Sequence, residues 1–313
     1  MEKFEQEVSI FPDPGENRTF FHPDIAAIAD RAAHANLHPA DTDRQKIHLL
    51  IVDMQVDFCH PAGSLYVPGA EEDVKRLTRF IYDQGDHITQ ITCSMDSHLP
   101  LQIFHPAWWA DCQGNHPQPF TTISHDDVTN GRWTPLFEPE WSTDYTRSLP
   151  EKGRYELTIW PYHCLIGSFG HCLDPGLLSA VLWHSLARGS QPNWWIKGSI
   201  PKTEHYSILK PEIAVPDHPQ GAKSQDLLDM LQAADYILIA GEAKSHCVLE
   251  TVEDLVEEYA DRPDILGRIC VLADCTSPII HPGIDYETIT KRHFEDFARK
   301  GIRIARSTDP LPV

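Results

Sequence analysis

The chain of 313 residues has no run of about 18 apolar residues, the length that a membrane-crossing helix needs. Its first twenty residues, MEKFEQEVSIFPDPGENRTF, carry no apolar core of the signal-peptide kind. None of the 8 cysteines falls in a CxxC pattern, which speaks against a zinc ribbon or a thioredoxin-like motif. A reduced, cytoplasmic protein is the expectation. Positive charge is scarce, with 26 Lys and Arg against 46 Asp and Glu and a formal net charge of -20. Such a chain repels nucleic acid and anionic membrane surfaces, so neither is expected as a partner. There is no internal repeat, and no stretch shows the spacing of oxygen ligands found in an EF-hand loop.

What remains is an ordinary globular composition, 41% hydrophobic and 23% charged. Residues 1–45 read as a polar N-terminal arm with a short helix around 24–29. From residue 46 to 313 apolar strands alternate with amphipathic helices. Strands are expected at 47–52, 88–95, 194–196, 236–240, 269–273 and 302–305. Apolar spacing predicts helices over 71–83, 177–186, 226–233, 248–256 and 286–300. The stretch 107–157 is rich in Pro, Trp, Asp and Gly without a clear period, and reads as an irregular excursion. This alternation predicts an α/β fold, a three-layer αβα sandwich with a mainly parallel central sheet.

In open parallel sheets, ligands bind outside the carboxyl ends of the strands. Asp53 follows the first strand, Asp96 the second and Lys197 the third. The fourth runs into Gly241-Glu242-Ala243-Lys244-Ser245-His246-Cys247. Each alone is commonplace; two carboxylates, an ammonium and a thiol together suggest an assembled site. Cys247 opens a predicted helix, whose free N–H groups favour a thiolate there. A carboxylate such as Asp53 can take the thiol proton and later return it to a leaving group, with Lys197 holding that carboxylate ionised. Backbone N–H groups of the turn can face a developing oxyanion. These parts suffice for nucleophilic hydrolysis and do not name a substrate.

Several segments carry a more specific resemblance. They are Val52-Asp53-Met54-Gln55-Val56-Asp57-Phe58, Val67-Pro68-Gly69-Ala70, Asp96-Ser97-His98, Trp160-Pro161-Tyr162-His163-Cys164, Lys197-Gly198, Gly241-Glu242-Ala243 and Cys247-Val248. In this order the chain resembles the nicotinamidase branch of the isochorismatase-like cysteine hydrolases. The resemblance implies a catalytic triad of Asp53, Lys197 and Cys247. It also implies oxyanion donors at the amides of Ala243 and Cys247, and a cis peptide between Glu242 and Ala243. Phe58 and Trp160 would wall the ring of a small-molecule amide substrate. Such proteins are often oligomeric, so a homo-oligomer is open, although no interface is legible.

Asp96 and His98 sit two apart on an extended segment and so project to one side of it. By resemblance His163 adds a third ligand, and His105 is a candidate fourth. Such N/O ligands with open positions suit a divalent metal, zinc first, with Fe²⁺ or Mn²⁺ as alternatives. The resemblance implies metal-dependent hydrolysis of nicotinamide to nicotinate and ammonia through a Cys247 thioester. Two features bear on the substrate: the acidic Glu242 beside the oxyanion turn, and the long excursion. They leave open another small amide or carbamoyl compound. A non-catalytic binding protein is the rival of a different class. His246 is expected to take a solvent or supporting role.

Overall fold

The computed structural model describes residues 23–151, 156–281 and 283–311. In chain order the main elements are α1 (Ile25–Ala35), β1 (Ile47–Val52), α2 (Ala70–Gln84), β2 (Gln90–Asp96), α3 (Pro139–Glu151), α4 (Pro175–Arg188) and β3 (Asn193–Lys197). Then come α5 (Gln225–Gln232), β4 (Tyr236–Gly241), α6 (Cys247–Glu258), β5 (Ile269–Leu272), α7 (Tyr286–Arg299) and β6 (Arg303–Ala305). The six strands form one sheet in the order β6-β5-β4-β1-β2-β3, and every pair in it is parallel.

Helices cover both faces, making the three-layer αβα sandwich. The alternation within β1 shows how. Ile47, Leu49 and Ile51 join one core with Val74, Leu77 and Ile81 of α2 and Leu177 and Val181 of α4. Leu50 and Val52 join the opposite core with Leu227 and Leu231 of α5, Val248, Val252 and Leu255 of α6, and Phe294 and Phe297 of α7. A central strand buried on both faces reads as a continuous apolar run, which is why IHLLIV lacks polar alternation. The edge strand β3 differs: Trp194 and Ile196 are exposed.

Local chemistry sets the ends of several helices. Asp174 caps α4 by accepting from the amides of Gly176 and Leu177, Pro175 stands in its first turn, and Gly189 ends it in the left-handed region. The helix expected around 24–29 extends to Ala35 and packs through Ile28 and Ala32 on Trp183 of α4. The excursion is more ordered than its composition suggests. Two short ladders pair 109–110 with 134–135 and 122–123 with 157–158. Helix α3 buries only Ser142, Tyr145, Thr146 and Leu149. Trp141, Tyr145 and Leu149 do recur every four residues, but Pro139 and Pro150 bracket so short a stripe within a stretch rich in Pro and Asp that it does not stand out in the sequence.

The strand order reverses between β1 and β4, which places a crevice at their carboxyl ends. Gly241 makes that junction possible. Its φ is +130°, and a Cβ there would collide with the backbone of Val52 on β1.

Candidate active site

The register of the sheet decides which strand-end residues meet. Asp96 of β2 and Lys197 of β3 are direct partners, so their side chains emerge together. Lys197 Nζ lies 2.9 Å from Asp96 Oδ1 and 2.8 Å from Asp53 Oδ2. It also donates to the His205 carbonyl at 2.8 Å and stands 3.6 Å from Cys247 Sγ. Asp53 and Lys197 are fully buried and Cys247 almost so. The three residues expected to form a triad thus share one ammonium at their centre.

Asp53 sits just past β1 with φ +47°, a left-handed conformation that Asp tolerates better than most residues. Ser94 Oγ fixes it twice, donating to Asp53 Oδ1 at 2.6 Å and accepting from the Asp53 amide at 3.1 Å. Oδ2, apart from its ion contact with Lys197, has no well-directed hydrogen bond among the described residues, and the carboxyl group raises the Cys247 thiol beside it.

The electrostatics depart from the expected thiolate. Burial pushes the Cys247 thiol well above its ordinary value, and the nearby ammonium only opposes this. Burial also raises Asp53, against the pull of Lys197. Burial alone would lower Lys197, but Asp53 and Asp96 hold it well above its usual range. The resting site therefore holds a protonated thiol beside a carboxylate whose affinity for a proton is enhanced.

Cys247 is the first residue of α6, whose N-cap, His246, supplies no side-chain cap. The Glu242–Ala243 peptide is cis. Among the described residues the amides of Ala243 and Cys247 donate to no protein acceptor, and both residues line the crevice. Glu242 turns the other way. It is fully buried, its Oε2 accepts from the Ser277 amide at 3.1 Å, and it does not line the crevice. Burial, with Asp73 beside it, holds its carboxyl well above the ordinary range.

On the far side of Lys197, Asp96, His98 and His163 bring ligand atoms to within 4.8 Å of one another. His98 Nε2 is 2.8 Å and His163 Nε2 3.7 Å from Asp96 Oδ2. The other nitrogens, the Nδ1 atoms, lie at carbonyl oxygens: Gly198 at 3.1 Å and Pro161 at 2.7 Å. With Nδ1 of each imidazole at a carbonyl, Nε2 is the nitrogen free to face a cation, the arrangement usual for metal-bound histidine. One carboxylate oxygen and two imidazole nitrogens are a donor set that fits a divalent cation. Gly198, at φ +82°, keeps the space open, since a Cβ there would lie 2.5 Å from Asp96 Oδ1. His105 is buried, but its ring centroid is 5.9 Å from that of His98 and 6.2 Å from that of His163, outside the three-residue cluster.

Between thiol and cluster lies a small cavity. Phe58, Trp160, Glu204, His205 and Tyr206 line it, and so do Leu65, Phe104, His246 and Ile279, to which the sequence assigned no such place. His246 in particular is buried against Trp160 and Tyr206, with ring centroids at 5.3 and 5.4 Å, rather than facing solvent. Three further residues hold the frame. Gln55 accepts from the Asp96 amide at 2.7 Å and donates to the Asp96 carbonyl at 2.8 Å. Asp57 accepts from the Cys164 amide at 2.7 Å and so fixes the segment that carries His163. Ser94 orients Asp53, as above. Among the described residues no helix is long and apolar enough to cross a membrane.

No protein-family model matches the chain. It aligns with the nicotinamidase of Saccharomyces cerevisiae at 26% identity over 236 residues, 74% of this chain and 88% of that protein. The yeast nicotinamidase bound to the inhibitor nicotinaldehyde superposes with a TM-score of 0.57 at 21% identity, covering 83% of this chain and 99% of that one. A nicotinamidase/pyrazinamidase of Acinetobacter baumanii gives 0.54 at 19% identity, covering 86% and 100%. The structural likenesses show a shared fold. The sequence likeness supports the family to which the motifs point.

Proposed function

We propose that the protein is a metal-dependent cysteine amidohydrolase acting on a small heteroaromatic amide, with nicotinamide as the first candidate. The observation that carries the reading is the placement of Lys197, which touches Asp53, Asp96 and Cys247 at once and so joins a thiol–carboxylate pair to a ligand cluster across one cavity. The likeness to the S. cerevisiae nicotinamidase supports the choice of substrate.

Asp53 takes the Cys247 proton as Sγ attacks the amide carbon, and the carbonyl electron pair moves onto oxygen. The amides of Ala243 and Cys247 donate to that oxyanion. As the tetrahedral centre collapses the C–N bond breaks, and the leaving nitrogen takes the proton from Asp53 and departs as ammonia. Water then adds to the thioester with its proton going to Asp53. The C–S bond breaks, and the thiol recovers that proton. Burial raises the proton affinity of Asp53 and so suits it to both halves of the cycle, while Lys197 keeps the resting carboxylate ionised. Asp96, His98 and His163 would hold the cation, zinc first and Fe²⁺ or Mn²⁺ as alternatives, which supplies a Lewis acid able to take the lone pair of a pyridine nitrogen. Phe58 and Trp160 would flank the ring. Glu242, which pointed toward other substrates in the sequence, does not line the cavity and so does not favour them.

The test is release of ammonia from nicotinamide by purified, zinc-supplied protein, with Cys247→Ala as the control. Turnover that is lost in the variant is the expected result. A wild-type protein inert toward both nicotinamide and pyrazinamide rejects the assignment.

A further inference from the structure

The long excursion reaches the cavity through one buried chain of hydrogen bonds. Tyr145, in the middle of α3, donates from its hydroxyl to Glu204 Oε2 at 3.0 Å and accepts from the Glu204 amide at 2.9 Å. The other carboxylate oxygen, Oε1, accepts from the Tyr206 hydroxyl at 2.5 Å. That hydroxyl in turn accepts from Trp160 Nε1 at 2.9 Å. Tyr145, Glu204 and Trp160 are buried, and Glu204, Tyr206 and Trp160 line the cavity. A second attachment fixes α3 to the same segment: Trp141 Nε1 donates to the Lys202 carbonyl at 2.7 Å.

A carboxyl group buried with no cation beside it among the described residues, and pushed up to about 7 by that burial, is a costly choice for mere packing. Here it acts as a double acceptor that holds two tyrosines in one geometry. Trp160 presents its ring to the cavity, and its indole N–H is aimed by Tyr206. The orientation of that wall therefore depends on Glu204, and the position of Glu204 depends on Tyr145. We propose that α3 belongs to the substrate site: through Tyr145 and Glu204 it fixes the Tyr206–Trp160 wall against which a flat heteroaromatic ring binds. Both are positioning residues that set selectivity for a planar ring; neither touches the reacting atoms. The substrate class rests on the function proposed above.

The test uses Tyr145→Phe, Glu204→Gln and Glu204→Ala in the full chain, with two readouts. In steady-state hydrolysis of nicotinamide, Tyr145→Phe raises KM roughly fivefold, the loss of about one hydrogen bond of positioning, while kcat changes less than about twofold. Glu204→Ala raises KM further, and Glu204→Gln, which keeps an acceptor for Tyr206, falls between it and wild type. The second readout needs no turnover. Modification of Cys247 is followed by peptide mass spectrometry with a pyridyl disulfide and with iodoacetamide. The ratio of the two rates falls about fivefold in Tyr145→Phe, because only the first reagent carries a ring to stack on the wall. Unchanged KM and unchanged ratio in Tyr145→Phe overturn the inference. Should Glu204→Ala fail to fold, Tyr145→Phe decides alone, since it removes a single hydroxyl. A wild type that does not hydrolyse nicotinamide rejects the proposed function, while the modification ratio still decides this one.

Discussion

Two pairs of buried carboxyl groups flank the turn into Cys247, and the protein treats them in opposite ways. On the cavity side, Asp53 and Asp96 share the fully buried Lys197. Against burial, His98 and Lys197 hold Asp96 well below the ordinary carboxyl range. On the other side, Glu242 lies by Asp73, whose cationic partner, Arg76 at 2.6 Å, has a side chain 38% exposed. Burial keeps Glu242 protonated there, with Asp73 reinforcing it. A carboxyl group in similar burial is held in its charged form where an ammonium and an imidazole touch it, as at Asp96, and is pushed toward its neutral form where another carboxyl lies beside it, as at Glu242. Lys197 is what makes the first pair a site rather than a piece of packing.

Removing Lys197 should break the comparison most severely. Lys197→Ala leaves two carboxylates facing one another without compensation, an expected loss of about 3–5 kcal/mol of stability. Denaturant melts near neutral pH measure it. Ammonia-release assays should show turnover down by about 10³-fold or more in whatever fraction folds. Asp53→Asn removes the proton acceptor but keeps the shape, so a fall in kcat of about 10²–10⁴-fold with a nearly unchanged melt is expected.

Depletion of metal acts on the far end of the same cluster. Treatment with a chelator should lower the melting temperature, and added zinc should restore it, because a ligand that binds only the folded state stabilises it. In Asp96→Asn that zinc response should be lost.

The mildest effect is expected at Glu242. A carboxyl with a raised folded value keeps its proton while the unfolded chain releases one, so its contribution to stability falls as pH rises above the ordinary carboxyl range. Glu242→Gln cannot ionise. Relative to wild type it should therefore gain stability steadily from acid toward neutral and alkaline pH, with turnover changed less than about threefold. Melts across that range check the sign; a variant that loses ground with rising pH would mean Glu242 is ionised in the folded state.

Much of this was legible in the residues. IHLLIV, YILIAG and ICVL announce themselves as doubly buried parallel strands, and Asp53, Asp96 and Lys197 at the ends of β1, β2 and β3 mark the functional rim. The pairing of Asp96 with Lys197 was not legible, because register between strands 101 residues apart depends on the whole sheet. Nor was the aim of Glu242: a residue next to a turn can point to either face, and the neighbours that decide it, Asp73 and Ser277, are distant in sequence. Helix α3 was hidden by the prolines that bracket its short stripe of Trp141, Tyr145 and Leu149, and with it the link from Tyr145 to the cavity. Gln55 and Asp57 stand inside the first motif, which signals a role without saying which, while Ser94, within β2, carries no signal of its hold on Asp53.

The most direct test of the chemistry is to trap the acyl group. Acid quenching during turnover of nicotinamide, followed by peptide mass spectrometry, should find a nicotinoyl adduct on the Cys247 peptide. Turnover that persists in Cys247→Ala, or an adduct carried by another residue, would contradict the account.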